Sequence, residues 1–259
     1  MLFINTRPAD RAQQLTSALQ AEGLTVLELP LLALEAMPWS ESLATLFAQI
    51  NEVQVIVVVS PAAVEFGMQA LAQAGGKPED LHNIQWIAVG QATAQALLQY
   101  GFESQVPEVE TSEGMLRLPV LQRLGRTARI AFWRGEGGRQ FMMDTLATQG
   151  IQVLNFVLYR RYCPTSTEQS LQENLVFIRE ASLCILLVSS EASWRNWLRL
   201  AQHYSLGQIS IYCFVLAERV THLVEQSCHE HQLGYQVIQL EDLKQDTILK
   251  QLHAVQGNT

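Results

Sequence analysis

Val55-Ile56-Val57-Val58-Val59-Ser60-Pro61-Ala62-Ala63 runs five consecutive branched apolar residues straight into a serine and a proline. So short a run cannot cross a bilayer, which takes about 20 residues. Apolar character without alternation is what a strand covered on both faces requires. Serine accepts from the free N–H groups of a following helix, and proline suits a first turn, so a helix is expected directly after the strand. The same order returns at Cys184-Ile185-Leu186-Leu187-Val188-Ser189-Ser190-Glu191-Ala192. Each copy leads through a helix-length segment to another strand, ending Val89-Gly90-Gln91-Ala92-Thr93-Ala94 in the first and Val215-Leu216-Ala217-Glu218-Arg219-Val220 in the second. Ala217 therefore stands where the first copy has Gly90.

A second kind of unit also occurs twice. Leu2 to Asn5 reads as a strand, Thr6-Arg7-Pro8 as a turn, the next residues to about Glu22 as a helix ended by Gly23, and Val26 to Leu32 as a strand. Its echo is the strand Ile130 to Trp133, the turn Arg134-Gly135-Glu136-Gly137-Gly138-Arg139, a helix through Leu146, Gly150, and the strand Val153 to Tyr159. The registry is close: Arg7 to Gly23 spans 23 − 7 = 16 positions, as does Arg134 to Gly150, 150 − 134 = 16. With Trp86 to Val89, the region around Glu103 to Val106, Ile211 to Val215 and Gln236 to Leu240, the strands number ten. Strands alternating with helices imply α/β architecture, here two doubly wound parallel-sheet domains of five strands each. Ligands of such sheets lie outside the carboxyl ends of the strands, and a cleft between domains is the expected site. Periodicity alone would divide the chain once, near residue 125.

Composition bounds the function. Apolar residues at 48% with charged residues at 16%, and a mean hydropathy of +0.08, describe a packed globular chain. A formal charge of −8 argues against a nucleic-acid partner but not against a small polyanion, which helix N-termini and backbone N–H groups can hold locally. No basic leader with an apolar stretch opens the chain and no run is long enough to span a membrane, so a cytoplasmic location is expected. Cys163, Cys184, Cys213 and Cys228 form no CxxC pair and read as reduced thiols. Cys228-His229-Glu230-His231 lacks metal-ligand spacing and reads as a polar loop. Arg134 to Arg139 is glycine-rich without phosphate-loop spacing, and no GxSxG element occurs. Trp194 and Trp197 read as a helix face packed on a sheet.

Taken in order, Asn5-Thr6-Arg7-Pro8, Val59-Ser60-Pro61-Ala62-Ala63-Val64, Val89-Gly90-Gln91-Ala92-Thr93-Ala94 and Arg134-Gly135-Glu136-Gly137-Gly138-Arg139 ahead of Leu158-Tyr159-Arg160-Arg161 resemble the uroporphyrinogen-III synthase family across nearly the whole chain. The resemblance implies two lobes joined by a two-stranded hinge: a discontinuous first domain of residues 1–33 and 164–259, and a second of residues 34–163. It implies a cofactor-free lyase that closes the linear tetrapyrrole octacarboxylate hydroxymethylbilane to uroporphyrinogen III with inversion of ring D. No sequence mark of dimerisation occurs, so a monomer is expected, without nucleic-acid or membrane partners and with room for transient contact with the preceding pathway enzyme.

By the same resemblance Tyr159 is the expected proton donor to the departing hydroxyl, since an ordinary phenol carries its proton at neutral pH. Ser60, Gly90, Gln91, Thr93, Ser189 and Ser190 lie just after strands, where hydroxyls and free N–H groups can meet carboxylates, and Arg7 and Arg134 occupy matching turns where they can pair with acetate or propionate arms. Ala217 accepts a positive φ less readily than glycine, which weakens the case for its turn as an anion site. Architecture alone leaves a non-catalytic two-lobed tetrapyrrole-binding or sensor protein open beside the enzyme.

Overall fold

The computed structural model describes residues 1–257. In chain order its strands are β1 (Leu2–Asn5), β2 (Thr25–Glu28), β3 (Ala33–Ala36), β4 (Val55–Val58), β5 (Gln85–Ala88), β6 (Ser104–Gln105), β7 (Arg129–Gly135), β8 (Gln152–Tyr162), β9 (Cys184–Val188), β10 (Ile211–Leu216) and β11 (Tyr235–Leu240). Two compact units emerge, Met1–Ala33 with Tyr162–Thr259, and Leu34–Arg161.

The discontinuous unit holds a five-stranded sheet of order β11-β10-β9-β1-β2, with every neighbouring pair parallel. The other holds the order β3-β8-β7-β4-β5-β6. All ten expected strands are present, five in each sheet, and β3 adds a sixth at the edge of the second, beside β8. The strand β2 ends at Glu28, short of the expected Leu32, although the Leu29 and Leu31 N–H groups still donate to the Asn5 and Thr6 carbonyls. In each sheet the strand order reverses once among the parallel strands, between β1 and β9 in one and between β4 and β7 in the other. Such reversals place ligands at the adjoining carboxyl ends.

Unbroken apolar strands feed two cores at once because successive side chains point to opposite faces. On β4, Ile56 and Val58 join a core with Ala63, Val64 and Leu71 of the helix Pro61–Gln73, while Val55 and Val57 join Met142, Met143 and Leu146 of the helix Phe141–Thr148 on the other side. On β9, Leu186 and Val188 pack with Trp194 and Trp197, whereas Ile185 and Leu187 pack with Leu15, Leu19 and Ile248. Both tryptophans are core, as their spacing indicated.

The expected helix starts follow from their caps. Ser60 Oγ accepts from Ala63 N–H at 3.0 Å with Pro61 in the first turn, and Ser190 accepts from Ser193 N–H at 3.2 Å. Pro8 ends the expected turn as the cap of the helix Ala9–Ala21. Two local expectations need correction. Cys228-His229-Glu230 is the last turn of the helix Glu218–Glu230 and not a loop, because Val220, Val224 and Cys228 continue one buried stripe at spacing four. Arg134 and Gly135 belong to β7, prolonged two residues past Trp133 by pairing with β8, so Arg134 does not share the turn position of Arg7.

Gly90 and Ala217 differ as well. Gly90 is extended, at φ −164°, whereas Ala217 caps its helix at φ 69°, in a region costly for a residue bearing Cβ. That strain, about 1–3 kcal/mol, exceeds the unfolded-state entropy glycine would add, about 0.4–1 kcal/mol. Ala217→Gly is therefore expected to raise Tm by about 2–4 °C in calorimetry, and an unchanged or lower Tm would show that the position carries no strain.

Candidate active site

The site in the second unit is set by a slip in register. Arg134 pairs with Val157, but Gly135 pairs with Tyr159, so Leu158 has no partner on β7. Without the slip, residue 159 would follow Val153 to the face of Met142 and Leu146. With it, Tyr159 turns to the opposite face and joins the core that contains Leu154, Phe156 and Leu158. The Tyr159 carbonyl then accepts from Glu136 N–H at 2.8 Å, which fixes the backbone of the bulge.

The Tyr159 ring stacks on Phe66, centroids 5.3 Å apart and planes 22° from parallel. Its other contact is Gly135, where a Cβ would lie 2.6 Å from a ring carbon. Only glycine lets the ring sit there. The residue is 1% exposed, and its hydroxyl is 2.9 Å from Ser60 Oγ and accepts from Arg161 Nη2 at 3.2 Å. The Arg161 guanidinium carbon lies 5.4 Å from the ring centroid. Residues two apart on a strand share a face, so Arg161 reaches the oxygen from the same strand.

Beside the phenol is a cavity of about 210 Å³ with an apolar floor that includes Phe132, Met142 and Met143, and with Arg134, Arg139 and Arg161 in its wall. Arg134 is 5% exposed and donates to the carbonyls of Gly135, at 3.3 Å, and Gly138, and to Met143 Sδ at 3.8 Å. Burial lowers its pKa from the usual arginine value, and Tyr159 opposes that shift. Among the described residues no carboxylate forms an ion pair with it. Only carbonyl dipoles and a thioether offset a cation taken out of water, so a carboxylate arriving there would be strongly favoured.

At the carboxyl end of β5, Gly90 caps the helix Gln91–Leu98. The Gln91 N–H donates to Glu110 Oε1 at 2.9 Å, and a Cβ on Gly90 would lie 2.3 Å from the Glu110 carboxyl carbon. A carboxylate already occupies this helix N-terminus, and it belongs to the chain. Thr93 is buried, and its N–H is bonded to the Gly90 carbonyl.

Arg7, Ser189 and Ser190 lie in the other unit. Arg7 lines a cavity of about 380 Å³ with Gln14, Lys244 and Gln245, and its N–H donates to Asn5 Oδ1 at 3.3 Å. Ser190 is engaged as a cap with Ser193, and Ser189 precedes it at the end of β9. Of the sequence-based candidates, Ser60, Arg134 and Tyr159 are brought together; Gly90, Gln91 and Thr93 share a neighbouring turn. Arg161, Phe66, Gly135 and Glu110 were not foreseen. The Tyr-x-Arg spacing on a strand could have indicated Arg161, but Glu110 lies 19 residues from its partner in a loop and carries no local signal.

Burial pushes Cys184 up to about 12 and Cys228 up to about 11, and it raises Cys213 as well. Burial also raises the half-buried Cys163 thiol. No cluster of three or more His, Cys, Asp or Glu suited to a metal occurs among the described residues, and no helix among them is long and apolar enough to cross a membrane.

Comparison with known proteins agrees with this architecture. Residues 13–216 match the family model described as "Uroporphyrinogen-III synthase HemD". The chain is 30% identical to the uroporphyrinogen-III synthase of Salmonella typhimurium over 258 residues, 97% of this chain and all of that protein, and 28% identical to that of Escherichia coli over the same shares. Its fold matches a crystal structure of a mutant uroporphyrinogen III synthase from Thermus thermophilus with a TM-score of 0.63 at 16% identity, covering 99% of this chain and 98% of that one. The Helicobacter pylori uroporphyrinogen-III synthetase matches with a TM-score of 0.56 at 14% identity, covering 98% of each chain. A family match that spans most of the sequence, joined to a two-sheet α/β fold, places this chain in the uroporphyrinogen-III synthase family of cyclising lyases.

Proposed function

We propose that the chain closes hydroxymethylbilane to uroporphyrinogen III with inversion of ring D, and that Tyr159 donates the proton on which the terminal hydroxyl leaves. The observation that carries the reading is the buried Tyr159, whose hydroxyl lies 2.9 Å from Ser60 Oγ and which lines a cavity together with Arg134, a cation that no carboxylate pairs with among the described residues. Loss of water leaves an electrophilic azafulvene at ring A. Attack by the free α-carbon of ring D gives the uninverted isomer and needs no catalyst; attack by the substituted α-carbon gives a spiro intermediate that fragments and recloses inverted. No electrons are gained or lost overall, so the reaction itself calls for no redox cofactor.

The protein must first choose a fold of a flexible octacarboxylate, which is a problem of orientation, and only then assist the leaving group. Arg134 serves as the anchor of one acetate or propionate arm, being buried, held by backbone carbonyls and, among the described residues, in no ion pair. A second carboxylate takes the Gln91 N–H in place of Glu110, at the turn opened by Gly90 and held by buried Thr93. Arg7, Ser189 and Ser190, which lie in the other unit, are assigned to carboxylate binding there. The chain's charge of −8 would repel such a ligand at long range, but contacts of this kind act within a few ångströms, inside the screening length of about 8 Å.

The reading is tested with freshly prepared hydroxymethylbilane and chromatography of the oxidised products. Purified protein should give the type III isomer; product that matches the buffer control would refute the activity and leave a binding protein. Tyr159→Phe should lower kcat by on the order of tenfold or more with an unchanged circular dichroism spectrum, and full turnover would remove Tyr159 from the chemistry. Arg134→Met removes a buried cation that forms no ion pair among the described residues, so Tm should hold or rise. A charge-assisted contact contributes about 1.5–3 kcal/mol, so KM should rise roughly tenfold or more, and an unchanged KM would contradict the anchor.

A further inference from the structure

Ser60 was expected to bind a substrate carboxylate, yet its Oγ already accepts from Ala63 N–H at 3.0 Å and faces the Tyr159 hydroxyl at 2.9 Å. The same phenol oxygen accepts from Arg161 Nη2 at 3.2 Å. Guanidinium can only donate, whereas a hydroxyl donates once and accepts twice. One acceptor position of the Tyr159 oxygen is thus filled by Arg161, and the Ser60 hydroxyl is free to rotate into the other without movement of a heavy atom. In that arrangement the phenol hydrogen points at neither neighbour and is available to be given away.

We propose that Ser60 and Arg161 form a two-donor cradle for the Tyr159 oxygen, which stabilises the phenolate that remains when its proton has gone to the substrate. Both are positioning residues acting through Tyr159. The inference rests on the reading of Tyr159 as proton donor and adds what makes the donation favourable. As the phenol O–H bond breaks, an O–H bond forms at the substrate hydroxyl, whose C–O bond breaks with its electron pair to release water. The phenolate regains a proton when the formerly free α-carbon of the last ring gives one up at closure.

Two features place positive potential on that oxygen, and a third holds it there. Arg161 contributes a full charge, and Ser60 caps a helix of 13 residues, Pro61–Gln73, whose N-terminal end carries about half a charge. The ring, held between Phe66 and Gly135, cannot swing the oxygen out of reach of its donors. Donors already aimed at a charge that appears only during reaction are the arrangement that lowers a barrier without reorganisation.

The test is a mutant cycle on the full-length protein, with kcat, KM and isomer composition measured for Arg161→Met, Arg161→Lys and Ser60→Gly, each in the native and the Tyr159→Phe background. Glycine removes the hydroxyl and still caps a helix at a cost of a few tenths of a kcal/mol, and Arg161 is exposed, so both variants should fold. Arg161→Met and Ser60→Gly are expected to lower kcat by on the order of ten- to hundredfold, with KM within about twofold and the type III share of product unchanged. Arg161→Lys should restore part of the loss, and neither change should lower kcat further once Tyr159 is phenylalanine. A rise in KM at constant kcat would make Arg161 a substrate-carboxylate ligand and overturn the cradle. So would an equal loss in the Tyr159→Phe background. If Tyr159→Phe alone is fully active, the donor reading has failed; if it is impaired while the Arg161 and Ser60 variants are not, only the cradle has.

Discussion

Everything at the site depends on one residue of slack between β7 and β8. A regular ladder would carry residue 159 to the wrong side of the sheet, and the unpaired Leu158 reverses that parity. The slip is maintained by the Glu136 N–H bond to the Tyr159 carbonyl and by a glycine at position 135, whose missing side chain makes room for the phenol. Phe66 closes the opposite face of the ring. Backbone hydrogen bonding and close packing thus locate the hydroxyl before any polar side chain acts on it. Ser60 and Arg161 then meet an oxygen whose place is already decided.

The electrostatics of the unit follow the same division between what packing fixes and what a ligand would complete. Arg134 is a buried cation supported by carbonyl oxygens and a thioether, an arrangement whose desolvation cost a bound carboxylate would offset. The N-terminus of the helix Gln91–Leu98, by contrast, is already neutralised by Glu110. A substrate that used both places would meet one open position and one that it must take from the protein. Such local positive features coexist with a strongly acidic chain because potentials within a few ångströms are set by neighbours and not by net charge.

Much of this was legible from the residues. Unbroken apolar strands announced parallel sheets with two covered faces, and Val55–Val58 and Cys184–Val188 are buried along their whole length. Serine before a helix announced Ser60 and Ser190 as caps. What lay beyond reach was anything that needs to know which strand neighbours which. The reversal of order between β4 and β7 brings Ser60 toward Tyr159 across a separation of 99 residues, and no local pattern encodes it. A bulge leaves no trace in periodicity when both residues around it are apolar, as Leu158 and Tyr159 are. The internal repeat also misled at Arg134: equal spacing to a later glycine hid the fact that pairing with β8 draws this arginine into a strand and buries it, while Arg7 stays in a partly exposed turn.

The central claim is that a phenol held in this way gives up its proton in the step that expels water. The most direct measurement replaces Tyr159 with fluorotyrosines of graded acidity, which keep the ring and hydroxyl in place, and follows the single-turnover rate of water loss from hydroxymethylbilane. The account predicts a rate that changes systematically with the acidity of the phenol. A rate indifferent to it across the series would contradict the account.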